Sequence, residues 1–257
     1  MAEYPSYNPE IVLITGATGD FGKAFAARFA AIGSKLILHG RDKEKTESLC
    51  AQYPNAHPIV FDMTDKTAMK NAIASLPADF KNIDLLVNNA GLALGLDKAQ
   101  DADPDDWERM IDVDVKALTL MTSLVLKGMT ERKRGHIVNI GSTAGNYAYM
   151  GGNVYGAAKA FVKQFSLNLR ADLVGTKVRV TNVEPGQVET QFSTVRFKGD
   201  TDKAKAVYAG AQSLTAEDVA ETVFWAATLP AHFNVNRVEI MPTCQSFAGL
   251  SVERTGS

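Results

Sequence analysis

A chain of 257 residues, 46% apolar and 22% charged, has the proportions of an ordinary soluble globular protein, which excludes a disordered chain and suits one large domain. Its formal charge of −2 gives no reason to expect nucleic acid or an anionic membrane as partner. The two cysteines, Cys50 and Cys244, lie too far apart for a disulfide framework or a metal site and fit a reducing compartment.

Along the chain, the opening MAEYPSYNPE lacks the basic start and apolar core of a signal peptide. No apolar run approaches membrane-spanning length, so the expected location is the cytoplasm. Seven short apolar runs follow: IVLIT from Ile11, KLILH from Lys35, HPIVF from His57, IDLLV from Ile83, HIVNI from His136, VRVTNV from Val178 and RVEIM from Arg237. They are continuous rather than alternating, as strands buried on both faces are, and the amphipathic segments between them are long enough for crossover helices. The rhythm predicts an α/β single domain built on a doubly wound parallel sheet. Pro104 with Asp105 and Asp106 opens one helix, and Thr215 with Glu217 and Asp218 opens another. Two regions break the rhythm: the charged stretch FSTVRFKGDTDK, inside a lid expected over about 191–213, and a tail over about 242–257.

The first strand runs into TGATGDFG, Thr15 to Gly22, and then a helix. Glycines there let the backbone turn tightly and approach a pyrophosphate, whose charge is stabilised by the N–H groups of the helix start. Arg41 stands near the end of the second strand, where NAD enzymes place an acid on the ribose. A guanidinium there suits the extra phosphate of NADP(H), the alternative being an exposed loop arginine. Asp62, after the third strand, is placed either to accept from the adenine amine or to cap the next helix.

Thr15 to Gly22, NNAG at Asn88 to Gly91, Ser142 in NIGSTAG, Tyr155 and Lys159 in YGAAK, and PGQVET at Pro185 to Thr190 together resemble the ordered signature of the short-chain dehydrogenase/reductase family over nearly the whole chain. Ser142 precedes Tyr155 by thirteen residues and Lys159 follows it by four, one helical turn on the same face. The segments RFKGD, LPAH and QSFAGL narrow the resemblance to the NADP-dependent 3-hydroxy acid dehydrogenase branch, with malonic semialdehyde and sulfoacetaldehyde reductases. The resemblance implies a Rossmann fold, a homotetramer, and a tail in which QSFAGL covers a neighbour's site. It also implies a cofactor site of Thr15, Gly16, Thr18, Gly19, Phe21, Gly22, Arg41, Asp62 and Met63, continued by Asn88, Asn89, Ala90, Gly91, Tyr155 and Lys159. Pro185, Gly186, Val188 and Thr190 would form the nicotinamide pocket.

In that frame Tyr155 is the general acid, Ser142 holds the carbonyl oxygen and Lys159 acidifies the phenol. Bringing a tyrosine from about 10 to near 7 takes roughly 4 kcal/mol, about what one positive charge 4 Å away supplies at an effective dielectric near 20. Two positions depart from the family pattern. Asp20 replaces a glycine beside the expected pyrophosphate, where it would repel the phosphates unless it turns away to cap the helix. Asp114 stands where the family has a catalytic asparagine, and its charge should oppose the phenolate.

The implied substrate is a small aldehyde with an anion at its far end, met by Arg196 with Ser142, Tyr147, Tyr149 and Gln187 as neutral donors. The expected activity is NADPH-dependent reduction of malonic semialdehyde to the 3-hydroxy acid, or of sulfoacetaldehyde to isethionate. Reduction of neutral carbonyl compounds and a non-catalytic NADP(H) sensor are the alternatives.

Overall fold

All seven apolar runs become strands of one sheet in a computed structural model that describes residues 6–247. These are β1 (Ile11–Ile14), β2 (Lys35–Gly40), β3 (Ala56–Val60), β4 (Leu85–Asn88), β5 (Gly135–Ile140), β6 (Val178–Pro185) and β7 (Arg237–Ile240). Their order is β3-β2-β1-β4-β5-β6-β7, every pair parallel. Strands β1, β4, β5 and β6 are buried at every position, as continuous apolar runs require, whereas the edge strands β3 and β7 are partly exposed. Pro58, which has no N–H to give a ladder, sits in edge strand β3.

Helices cover both faces. On one, α1 (Asp20–Ala30), α2 (Lys43–Cys50) and α9 (Ala216–Thr228) bury Phe25, Phe29, Leu49, Val219 and Val223 against β1, β2 and β4. On the other, α3 (Lys66–Ala74), α5 (Leu118–Arg132) and α6 (Asn153–Asp172) contribute Met69, Met121, Val125 and Leu169. Each fully buried side chain of this size is worth roughly 2 kcal/mol of transfer free energy.

The predicted helix starts are where their caps put them. Asp103 accepts from the amide of Asp105 at 3.0 Å to open α4 (Pro104–Ile111), and Thr215 with Asp218 forms a reciprocal capping box on α9. A π-helical segment without counterpart in the sequence reading, Asp112–Ala117, joins α4 to α5. The charged stretch after β6 folds as two short helices, α7 (Phe192–Arg196) and α8 (Thr201–Ala206). Among the described residues no helix is long and apolar enough to cross a membrane.

Candidate active site

The sheet order reverses between β1 and β4, and a crevice opens beyond the carboxyl ends of the strands on either side of such a point. Here it is a cavity of about 620 Å³ that reaches from the glycine turn to α7 and to Val207 and Tyr208, just past α8. Thr15 ties its floor together: its hydroxyl accepts from the amides of Asn89 at 3.0 Å and Ala90 at 2.9 Å. Asn89 answers by donating to the carbonyls of Thr15 at 2.9 Å and Gly16 at 3.1 Å. Gly16 has φ +64°, and a Cβ there would stand 3.0 Å from the Ala90 Cα, so the crossing of the two turns demands glycine. Gly19 is the N-cap of α1 and supplies no side-chain cap, leaving the helix start able to meet an anion from the cavity. Glycine turn, open helix start and cavity fit the pyrophosphate of a dinucleotide.

His39 was not foreseen. It is buried on β2, where Nδ1 accepts from the Gly16 amide at 3.1 Å and Nε2 faces the Phe61 carbonyl at 3.0 Å. Nε2 therefore carries the proton, and burial lowers the imidazole to about 4, which keeps it neutral. The signal was available: a lone polar residue in the apolar run LILHG.

Of the expected cofactor residues, Gly16, Gly19, Phe21, Asn89, Ala90, Gly91, Tyr155, Lys159, Pro185, Gly186, Val188 and Thr190 border this cavity. Others lie behind or beside it. Gly22 is buried in α1, and Thr18 is half-buried and packs toward Gly40. Asn88 faces the core instead of the cavity, donating to Thr122 at 2.9 Å and Asn139 at 2.8 Å. Arg41 is exposed just past β2 and makes no ion pair or hydrogen bond among the described residues. Asp65, not Asp62, caps α3, accepting from Thr67 and Ala68. Asp62 instead bonds Thr64 and the Arg109 guanidinium, 2.9 Å away, and the buried Met63 follows it in the core. Burial pushes the Asp62 carboxyl up, but Arg109 and Thr64 outweigh it and hold the group well below the usual carboxylate range.

The chemical groups converge from three elements. Ser142, just past β5, turns its hydroxyl oxygen toward the Ala144 amide at 3.1 Å. Tyr155 and Lys159 occupy the first two turns of α6 and are both buried. Asp114 enters from the π-helical segment, where Oδ1 accepts from the Leu92 amide at 3.0 Å and lies 4.0 Å from Lys159 Nζ. Its other oxygen, Oδ2, is buried without a partner. Burial raises this carboxyl to about 6, against the lowering pull of Lys159 and the Leu92 amide.

Lys159, expected to acidify the phenol, is shared with Asp114. Nζ donates to the Ile140 carbonyl at 3.1 Å and stands 5.7 Å from the centre of the Tyr155 ring. A unit charge at 4.0 Å is worth about 4 kcal/mol at an effective dielectric near 20, so Asp114 absorbs as much of the ammonium's field as the phenol would have used. Burial and then the Asp114 charge push Tyr155 well above the ordinary tyrosine value, while Ser142 and Arg196 pull the other way. The phenol is thus held protonated.

At the far end, Arg196 on α7 points inward. NH2 donates to the Tyr149 hydroxyl at 2.7 Å, Nε to the Gly95 carbonyl at 3.2 Å, and the guanidinium carbon lies 5.6 Å over the Tyr155 ring. Tyr147 also borders the cavity, but its hydroxyl is committed to Glu239 at 3.0 Å. Gln187 borders it with its amide donating to the Val207 carbonyl at 2.7 Å. Phe192, unforeseen, packs its ring 5.8 Å from that of Tyr155. The described start of the tail lies over this chain's own cavity: Gln245 accepts from the Gln187 amide at 2.7 Å and the Phe247 ring sits 4.8 Å from Tyr147. The rest of QSFAGL, from 248, lies outside the described residues.

A parallel sheet with a crevice at its switch point, lined by the glycine turn and by a serine, a tyrosine and a lysine, defines a nicotinamide-dependent oxidoreductase architecture. The family profile for short chain dehydrogenase matches residues 10–201, and the chain belongs to that family. It is 57% identical over 247 residues to the NADP-dependent 3-hydroxy acid dehydrogenase of Salmonella typhi, covering 95% of this chain and 100% of that one. It is 48% identical to the serine 3-dehydrogenase of Rhizobium radiobacter, covering 95% and 98%. Among solved structures, the closed form of a serine dehydrogenase complexed with NADP+ superimposes with a TM-score of 0.94 at 55% identity, over 95% of this chain and 100% of that one.

Proposed function

We propose that the protein is an NADPH-dependent reductase of small anionic aldehydes, converting malonic semialdehyde to its 3-hydroxy acid or sulfoacetaldehyde to isethionate. Bound NADPH supplies the hydride. Tyr155, whose surroundings keep its proton on, donates that proton to the carbonyl oxygen, and the Ser142 hydroxyl holds the same oxygen by a hydrogen bond. Lys159 fixes the floor between them through the Ile140 carbonyl. The 3-hydroxy acid dehydrogenase among the relatives is named for the product class of malonic semialdehyde reduction, the same reaction seen from the other side. Exposed Arg41 beside the glycine turn supports a cofactor with the extra phosphate, as do those NADP-dependent relatives. Two free cysteines agree with a cytoplasmic enzyme, and family resemblance with a homotetramer, which light scattering in solution checks.

The observation that carries the substrate class is the Arg196 guanidinium inside the cavity, 5.6 Å from the general acid's ring and braced by the Tyr149 hydroxyl. That spacing puts a carboxylate or sulfonate within reach when the carbonyl is one carbon away from it, and Arg196 meets either oxyanion with parallel N–H groups. Arg196→Ala is expected to raise KM for malonic semialdehyde and sulfoacetaldehyde about thirtyfold, the loss of one charge-assisted contact, while a neutral aldehyde changes less than about threefold. Equal losses on anionic and neutral aldehydes would exclude the assignment.

A further inference from the structure

Asp20 neither caps α1 nor turns out to solvent. It is the first residue of that helix, borders the cavity beside Gly16 and Gly19, and reaches across it, where Oδ2 accepts from the Gln191 amide at 2.7 Å. Gln191 immediately precedes α7, the helix that carries Arg196. The far side of this segment is pinned separately. Gly95 and Arg196 exchange an amide-to-carbonyl bond at 3.0 Å and a guanidinium bond at 3.2 Å, and Lys198 pairs with Asp106 of α4 at 2.8 Å. Among the described residues, Asp20 makes the one hydrogen bond between the glycine turn and this segment.

We propose that Asp20 is a positioning residue that latches the 191–213 lid to the dinucleotide turn, so that the elements holding cofactor and substrate anion close as one unit. This rests on the reading of the cavity as a dinucleotide and aldehyde site. A carboxylate is an ill-suited neighbour for a pyrophosphate, and glycine would avoid the repulsion, so its presence is explained by what it holds. Charge-assisted bonds to a backbone amide are among the stronger ones, and this one fixes the first amide of the lid. The latch is therefore traded against cofactor affinity.

Hydrogen exchange on the cofactor-free protein tests the latch directly, with NADPH binding and steady-state kinetics alongside. In Asp20→Ala, peptides covering 191–208 are expected to exchange about tenfold faster, with KM for the anionic aldehyde raised and kcat not lowered. Asp20→Asn keeps an acceptor oxygen without the charge. Its exchange should stay within about twofold of the parent, while NADPH binds severalfold tighter in both variants. Unchanged exchange in Asp20→Ala, or an Asp20→Asn lid as open as the alanine variant's, overturns the proposal. Exchange is read without cofactor or substrate, so failure of the reductase reading, seen as no NADPH binding in any form, is a separate result.

Discussion

Asp114 and Lys159 form a buried pair 4.0 Å apart in which only one carboxylate oxygen has a hydrogen-bond partner. Where the family has an amide, this chain has a group that ionises with a value of about 6. Above that pH its charge occupies Lys159 and raises Tyr155; below it the acid is neutral and the ammonium acts on the phenol undiminished. The rate of aldehyde reduction should thus step upward as pH falls through about 6. Asp114→Asn is expected to remove that step and to move the alkaline limb of the profile to lower pH. Profiles of kcat/KM from about pH 5 to 9 that superimpose for the two proteins would take Asp114 out of the proton chemistry. The one-turn interval put Tyr155 and Lys159 on one face of a helix, and the resemblance to the family supplied Ser142 and the roles of all three. The orphaned oxygen of Asp114, and the His39 bond that holds Gly16, depend on contacts between distant strands and helices that no local pattern encodes.

Strands were readable as continuous apolar runs and long helices by their period and apolar face. The π-helical segment Asp112–Ala117 was not: it widens a continuous helix by one residue per turn without changing the residue types used. Its effect is to bring Asp114 inward against the loop after β4, where Gly91 leaves almost no room. A Cβ at Gly91 would stand 2.6 Å from Asp114 Oδ1 and 3.3 Å from Lys159 Nζ. Gly91→Ala must therefore displace the carboxylate or the loop, and activity is expected to fall at least about tenfold while the melting temperature drops by only a few degrees. Turnover near the parent's would show that the π-helical segment yields freely. Helices α7 and α8 escaped the sequence reading for a different reason: at five and six residues they are too short to show a helical period. Both fall within residues 191–213.

Across the whole molecule, the parallel sheet buries polar groups on both faces, and two of the four histidines are among them. His39 is lowered to about 4 by burial, and His136, bonded to Thr181 at 2.8 Å, is held well below its ordinary value by burial and then by the charge of Arg179. Between the unfolded value near 6.5 and the folded one, the unfolded chain binds more protons, so stability rises with pH there and is lost as pH falls. For His39 alone the full loss, complete below about pH 4, is roughly 3 kcal/mol. Asp114 works in the opposite sense: its raised value makes the folded protein take up a proton between about 6 and the unfolded 3.8, which partly offsets the histidines. The melting temperature is expected to fall by about 5 °C from pH 7 to pH 5. In Asp114→Asn, where the offset is gone, it should start higher at pH 7 and fall by roughly 3 °C more over the same interval. Differential scanning calorimetry at a series of pH values reads both slopes. A parent curve flat to pH 5 counts against the buried neutral histidines, and parallel curves for the two proteins count against a raised Asp114.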